Sequence, residues 1–131
     1  TMQIENNFVP YQIALDMKEI GFDEPCIKGF YNKEPIYTVV TAPVDFNNKK
    51  QLGELLSAPL YSQCFDWFRE KYKLYSRIDI QDVKLDLYCY DILEVKEGDY
   101  TNDVHTDVNF ETYKEAELEC IKQLIITVKN K

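Results

Sequence analysis

The chain is short of several things, and each shortage closes off a class of chemistry. It has four glycines and one histidine in 131 residues. Gly21, Gly29, Gly53 and Gly98 are scattered and match neither G-x-G-x-x-G nor a P-loop, so no phosphate-cradling loop is expected. Ser57, Ser62 and Ser76 all lie outside a G-x-S-x-G context, which removes the nucleophile elbow. A Cys–His dyad would have to draw on His105. The cysteines at 26, 64, 89 and 120 never form C-x-x-C, and three lie in apolar-periodic segments. There a free cysteine behaves as a small buried hydrophobe, so reduced core thiols are expected. No cofactor is expected. Basic charge is also scarce, with 15 Lys and Arg against 23 Asp and Glu, a net charge of −8. Lys49-Lys50 and the segment Arg69 to Lys73 are too small to offset that balance against nucleic-acid phosphates, so nucleic acid is not an expected partner. No apolar run approaches the roughly 20 residues of a membrane helix. The polar N-terminus lacks a basic stretch leading into an apolar one, so no signal peptide is expected and a cytoplasmic location is. Thr1 before Met2 reads as a tag remnant.

What is present is material for a core. The chain is 45% apolar and 14% aromatic, with ten tyrosines and seven phenylalanines. Its length suggests a single domain, 1–131, with residues 1–8 as an arm or short strand and 42–57 as a polar loop. The strongest element is the last helix, from Thr112 to Lys129. Tyr113, Ala116, Cys120, Leu124 and Val128 fall on one stripe, and Ile121 and Ile125 widen it. Thr112 and Glu115 spell a capping box. A second helix is expected to start at Ser57 or Ala58 before Pro59, with Leu60, Cys64, Phe68 and Tyr72 on its stripe and Trp67 as a flanking core anchor. An N-terminal helix over 10–20 starts behind Pro10 and stops at Gly21, with Phe22 folding back on Met17. Cys26 to Tyr31 and Ile36 to Thr41 read as a hairpin. Arg77 to Gln81 and Val83 to Val95 read as strands, and Asn102 to Val108 as a last one. In the strand from Val83, alternation places Val83, Leu85, Leu87 and Cys89 on one face, and the segment Leu85 to Cys89 is expected in the core. Strands follow one another without intervening helices. The expected class is therefore α+β, a small mainly antiparallel β-sheet packed by two long amphipathic helices plus an N-terminal helix.

Two constellations carry possible chemistry. Asp103, His105 and Asp107 alternate, so on a regular strand they share a face, and an imidazole between two carboxylates suits a divalent metal. Asp99 is near enough in sequence to add an oxygen. Against this, charged residues on a sheet edge ordinarily resist aggregation. Tyr88, Tyr90 and Tyr100 form an aromatic run that is a candidate interaction face, flanked by Asp86, Asp91, Glu94, Glu97 and Asp99. Those acids disfavour phosphates and favour a protein partner.

Three phrases stand out together: YQIALDMKEIGFDEPC at 11–26, APLYSQCFDWFREKY at 58–72 and YKEAELECIKQLIITVK at 113–129. In this order they resemble a group of small uncharacterised proteins encoded by phages and prophages of Bacteroides-type gut bacteria. The resemblance implies a phage or mobile-element origin and a life inside the bacterial host cell. It implies no reaction and carries over no functional residue. The expectation is a non-catalytic accessory module with an acidic surface, bound to a protein partner or to copies of itself. The alternative is a small metal-binding domain or enzyme centred on Asp103, His105 and Asp107.

Overall fold

The computed structural model describes residues 4–48, 54–97, 99–105 and 109–131, with backbone alone over 99–105. Its contacts divide the chain into two compact units, Thr1–Gln63 and Cys64–Lys131. The division falls inside a helix rather than a linker.

In the first unit, helix α1 runs Tyr11–Glu19 behind an extended Pro10. Gly21 takes φ +94°, Gly21 N donates to Lys18 O, and Phe22 N donates to Met17 O. That is a Schellman stop, and the contact it brings is buried at both Met17 and Phe22. Strands β1 (Lys28–Tyr31) and β2 (Glu34–Tyr37) form the expected hairpin. Its turn is tighter than the four residues read from sequence. Asn32 and Lys33 both take positive φ, as a two-residue primed turn requires, and Pro35 lies within β2. The third strand, β3 (Leu55–Ser57), pairs with β1 and makes β1 central. It comes from the stretch expected as a polar loop, and it takes Ser57 away from the following helix. Two further expectations change here. Ile4–Asn7 is a 3-10 turn, and Phe8 bridges to Leu60, so residues 4–8 are held against the unit. Phe46–Asn48 is a second 3-10 turn, held to the chain by Asn47. Asn47 Nδ2 donates to Phe22 O, and its Oδ1 accepts from Ser57 N. Gly29 is required at the centre of this sheet. A Cβ there would lie 2.7 Å from Phe46 Cδ2 and 2.8 Å from Leu56 O.

Helix α2 (Tyr61–Tyr72) crosses the division. Cys64, Trp67 and Phe68 are buried, and Trp67 packs edge-on to Phe68 and Tyr72. Lys73 at φ +57° ends the helix and turns the chain directly into β4.

The second unit is a meander of β4 (Leu74–Asp82), β5 (Leu87–Lys96) and β6 (Asp99–His105), antiparallel in the order β4-β5-β6. Helix α3 (Tyr113–Lys129) packs on β4 and β5. Thr112 Oγ1 accepts from Glu115 N at 3.0 Å, as the cap signature predicts. Ala116, Cys120, Ile121, Leu124 and Ile125 are buried, whereas Tyr113 is half exposed. Glu117, absent from the predicted stripe, is buried too. The α+β class stands. Among the described residues, however, the strands form two three-stranded sheets rather than one.

Candidate functional site

The β4–β5 register sets two faces. Ser76 and Ile78 pair with Ile92 and Tyr90, and this face meets α3. Tyr75, Arg77 and Asp79 pair with Leu93, Asp91 and Cys89 on the other. At the end of the two strands, residues 83–86 form a turn. The aspartates build it. Asp82 Oδ1 accepts from Lys84 N at 2.9 Å and from Leu85 N at 3.1 Å. Asp86 sits at φ +54°, a conformation aspartate tolerates, and its Oδ1 accepts from the Tyr88 hydroxyl. A side chain that satisfies two backbone amides offers them an alternative to the strand ladder. The strand expected from Val83 therefore starts at Leu87, and the expected core segment loses Leu85. Val83 is 82% exposed, Leu85 66% and Ile80 57%. Three large apolar side chains thus crowd one hairpin end, beside Asp82 and Asp86.

Of the tyrosine run read from sequence, Tyr88 and Tyr90 are two apart on β5 and share a face of the sheet. Tyr90 is 7% exposed and its ring stacks on Phe110. Tyr88 lies edge-on to Tyr113 and donates to Asp86. Burial next to α3 raises the Tyr90 phenol above its ordinary range. Tyr100 pairs through its backbone with Val95, and its side chain lies outside the described residues.

Of the predicted metal set, Asp103 and His105 lie on β6, and Asp107 lies outside the described residues. Ile92 pairs with Val104 but Leu93 with Asn102, which leaves Asp103 as an extra residue in the ladder. The premise of strict alternation is interrupted there. The side chains of Asp103 and His105, and all of Asp107, lie outside the described residues. Among the described residues, no group of three His, Cys, Asp or Glu side chains is placed to hold a metal.

Two other clusters were not visible in the sequence. Lys28 is 8% exposed, with its Nζ 3.0 Å from Glu5 Oε2 and 5.1 to 5.9 Å from the ring centroids of Phe30, Phe8 and Tyr37. Glu5 Oε1 accepts from the Tyr37 hydroxyl at 2.6 Å. That hydroxyl first, and Lys28 second, hold the Glu5 carboxyl below its usual range. The ammonium is neutralised by a carboxylate and flanked by three rings, so the cluster works as a clamp fastening the N-terminal turn to the hairpin. The second cluster surrounds Cys26, which is buried near Ser57 and Asp45. Burial pushes its thiol up to about 12, outweighing the help of the Ser57 hydroxyl. Burial likewise pushes Cys120 up to about 12, against the Ser76 hydroxyl, and raises Cys89. All four cysteines are buried and outside any disulfide. The three with raised values are thiols at neutral pH and weak nucleophiles.

A hollow of about 140 Å³ lies on the second unit's sheet, lined by Tyr75, Ser76, Arg77, Asp91 and Leu93. Arg77 is held there by Asp91 at 2.9 Å and Asp79 at 2.7 Å. The hollow is smaller than the roughly 300 Å³ at which small-molecule clefts begin. Among the described residues, no helix is long and apolar enough to cross a membrane. No family model, curated protein or solved structure matches the chain.

Proposed function

We propose that this chain is a non-catalytic protein-binding module, an accessory factor of phage or prophage type working in the cytoplasm of a bacterial host, and that it binds through the β4–β5 hairpin end. The observation that carries this reading is the exposure of Val83 and Leu85 on the tight turn at 83–86 and of Ile80 near the end of β4 that leads into it. Burying such side chains against a partner is favourable by about 1.5–3 kcal/mol each. The surrounding acids, Asp79, Asp82 and Asp86, and the net charge of −8 select the partner's chemistry. An apolar cleft edged by lysine or arginine fits, whereas an anionic lipid surface is repelled. The raised thiols of Cys26, Cys89 and Cys120 support a non-catalytic role, since none is an activated nucleophile.

The test compares the parent with the double variant V83D/L85D, both immobilised and exposed to host lysate. Proteins retained by the parent are identified, purified and titrated against both. The reading expects an affinity loss of roughly a hundredfold or more in the variant, the worth of two apolar anchors, and weaker parent binding at high salt. Equal binding by both forms would refute it.

A further inference from the structure

The two sheets treat their outer strands differently. β2 is four residues long and carries Pro35, which has no N–H to offer a neighbour. β4 is nine residues long, contains no proline and, among the described residues, pairs with β5 on one side and with no strand on the other. Its sequence, LYSRIDIQD, is complementary to its own reverse. Ile78 is the middle residue of the strand, with Arg77 on one side and Asp79 on the other. When two such strands run antiparallel with Ile78 opposite its own copy, Arg77 of each faces Asp79 of the other. Ser76 faces Ile80, and the regular pairing stops there because the β4 ladder shifts register between Ile80 and Asp82. This register pairs opposite charges on both sides of Ile78.

The backbone phase agrees. Val95 N donates to Lys73 O, so from Leu74 to Ile80, before the register shift, the odd-numbered residues exchange hydrogen bonds with β5 and the even-numbered ones, Ile78 among them, direct N–H and C=O outward. A twofold axis at Ile78 then makes that residue a hydrogen-bonded pair. Arg77 and Asp79 fall in the flanking non-hydrogen-bonded pairs, where side chains approach most closely. Both are on the surface, with side chains 69% and 41% exposed. Charges on an edge strand normally prevent sheet-to-sheet pairing, but they do so by repelling a copy. Here they attract one.

We propose that β4 docks on β4 of a second copy of this chain, joining two three-stranded sheets into a six-stranded one about a twofold axis at Ile78. This goes beyond the hairpin-end reading: the two surfaces share Asp79 and Ile80, but Val83 and Leu85 lie outside the paired strands, so V83D/L85D tests the one and R77D with D79R the other. The net charge of −8 on each chain opposes association at low ionic strength, so the dimer forms best at physiological salt or above.

Sedimentation equilibrium over a concentration series tests it. The parent is expected to approach twice the 15.5 kDa chain mass as concentration rises. R77D and D79R each place like charges across the axis and are expected to stay at the single-chain mass. An equimolar mixture of the two regains the doubled mass, because each variant supplies the charges the other lacks. Should either single variant lose its far-UV circular dichroism, the double swap R77D/D79R gives the same reading. It should dimerise with itself and not with the parent. A parent that stays at single-chain mass throughout, or single variants that dimerise as well as the parent, would overturn the proposal.

Discussion

The two units solve the same problem, a three-stranded antiparallel sheet, by different means. In the first, strands of three or four residues are fastened by polar side chains that reach across long stretches of sequence. Lys28 holds Glu5, Asn47 bridges Phe22 and Ser57, Gln63 Nε2 donates to Pro25 O, and Lys18 Nζ donates to Leu55 O. In the second, strands β4 and β5 of nine and ten residues and one 17-residue helix bury apolar faces against each other. Short strands bury too little to hold register by themselves, so named hydrogen bonds must do it. Long strands with a covering helix can leave their ends free. The exposed turn of the second unit follows from that surplus: Val83 and Leu85 add nothing to its core and are left for contact with something else.

That contrast can be attacked from either side. The largest effect is expected in the first unit. Asn47→Ala removes the donor to Phe22 O and the acceptor of Ser57 N, both in a partly buried setting. It should lower stability by about 1–3 kcal/mol in urea titration, since the orphaned backbone groups lose bonds without regaining water. A loss below the experimental error would mean that apolar burial, not the polar bridge, holds this sheet.

A smaller effect is expected in the second unit. Glu94 is buried on β5 and paired with the ammonium groups of Lys131 and Lys96. Lys131 is the larger cause of a carboxyl held below its usual range; burial works against it and Lys96 assists. A depressed folded-state value contributes stability above the unfolded value, near 4.3 for glutamate, and loses it as pH falls through the depressed one. Lys131→Ala should therefore cost less than about 1 kcal/mol at pH 7, because the lysine is a third exposed and the pair is screened. The gap between variant and parent should close as pH drops below about 4. A gap that is constant with pH would assign the effect to lost packing by the lysine stem.

The same contrast explains what could be read from the chain. α1 and α3 were legible because their stops and caps, Gly21 with Phe22 and Thr112 with Glu115, are local signals that nothing distant overrides. β3 was not. Leu55 and Leu56 become a strand only because Gly29 lets the central strand approach, a fact about residues 26 positions away. The division into two sheets was illegible for the same reason. The turn at 83–86 failed differently. Val83, Leu85, Leu87 and Cys89 keep strand period, and the alternation outweighed the aspartates at 82 and 86, which were the available turn signal. Of the candidate sites, the tyrosine run was visible as sequence, but Tyr90 is drawn under α3 by contacts with Phe110 that no spacing rule predicts. In the D-x-H-x-D run, the ladder irregularity at Asp103 interrupts period two along the backbone, and the side chains themselves lie outside the described residues.

The account rests most heavily on Val83 and Leu85 being surface residues of a turn that the fold does not need. Urea unfolding of V83D/L85D measures this directly. A midpoint and slope matching the parent, with stability changed by no more than about 0.5 kcal/mol, is the predicted result for exposed positions. A loss of several kcal/mol would place both side chains in a core, and would remove the surface on which the proposed binding depends.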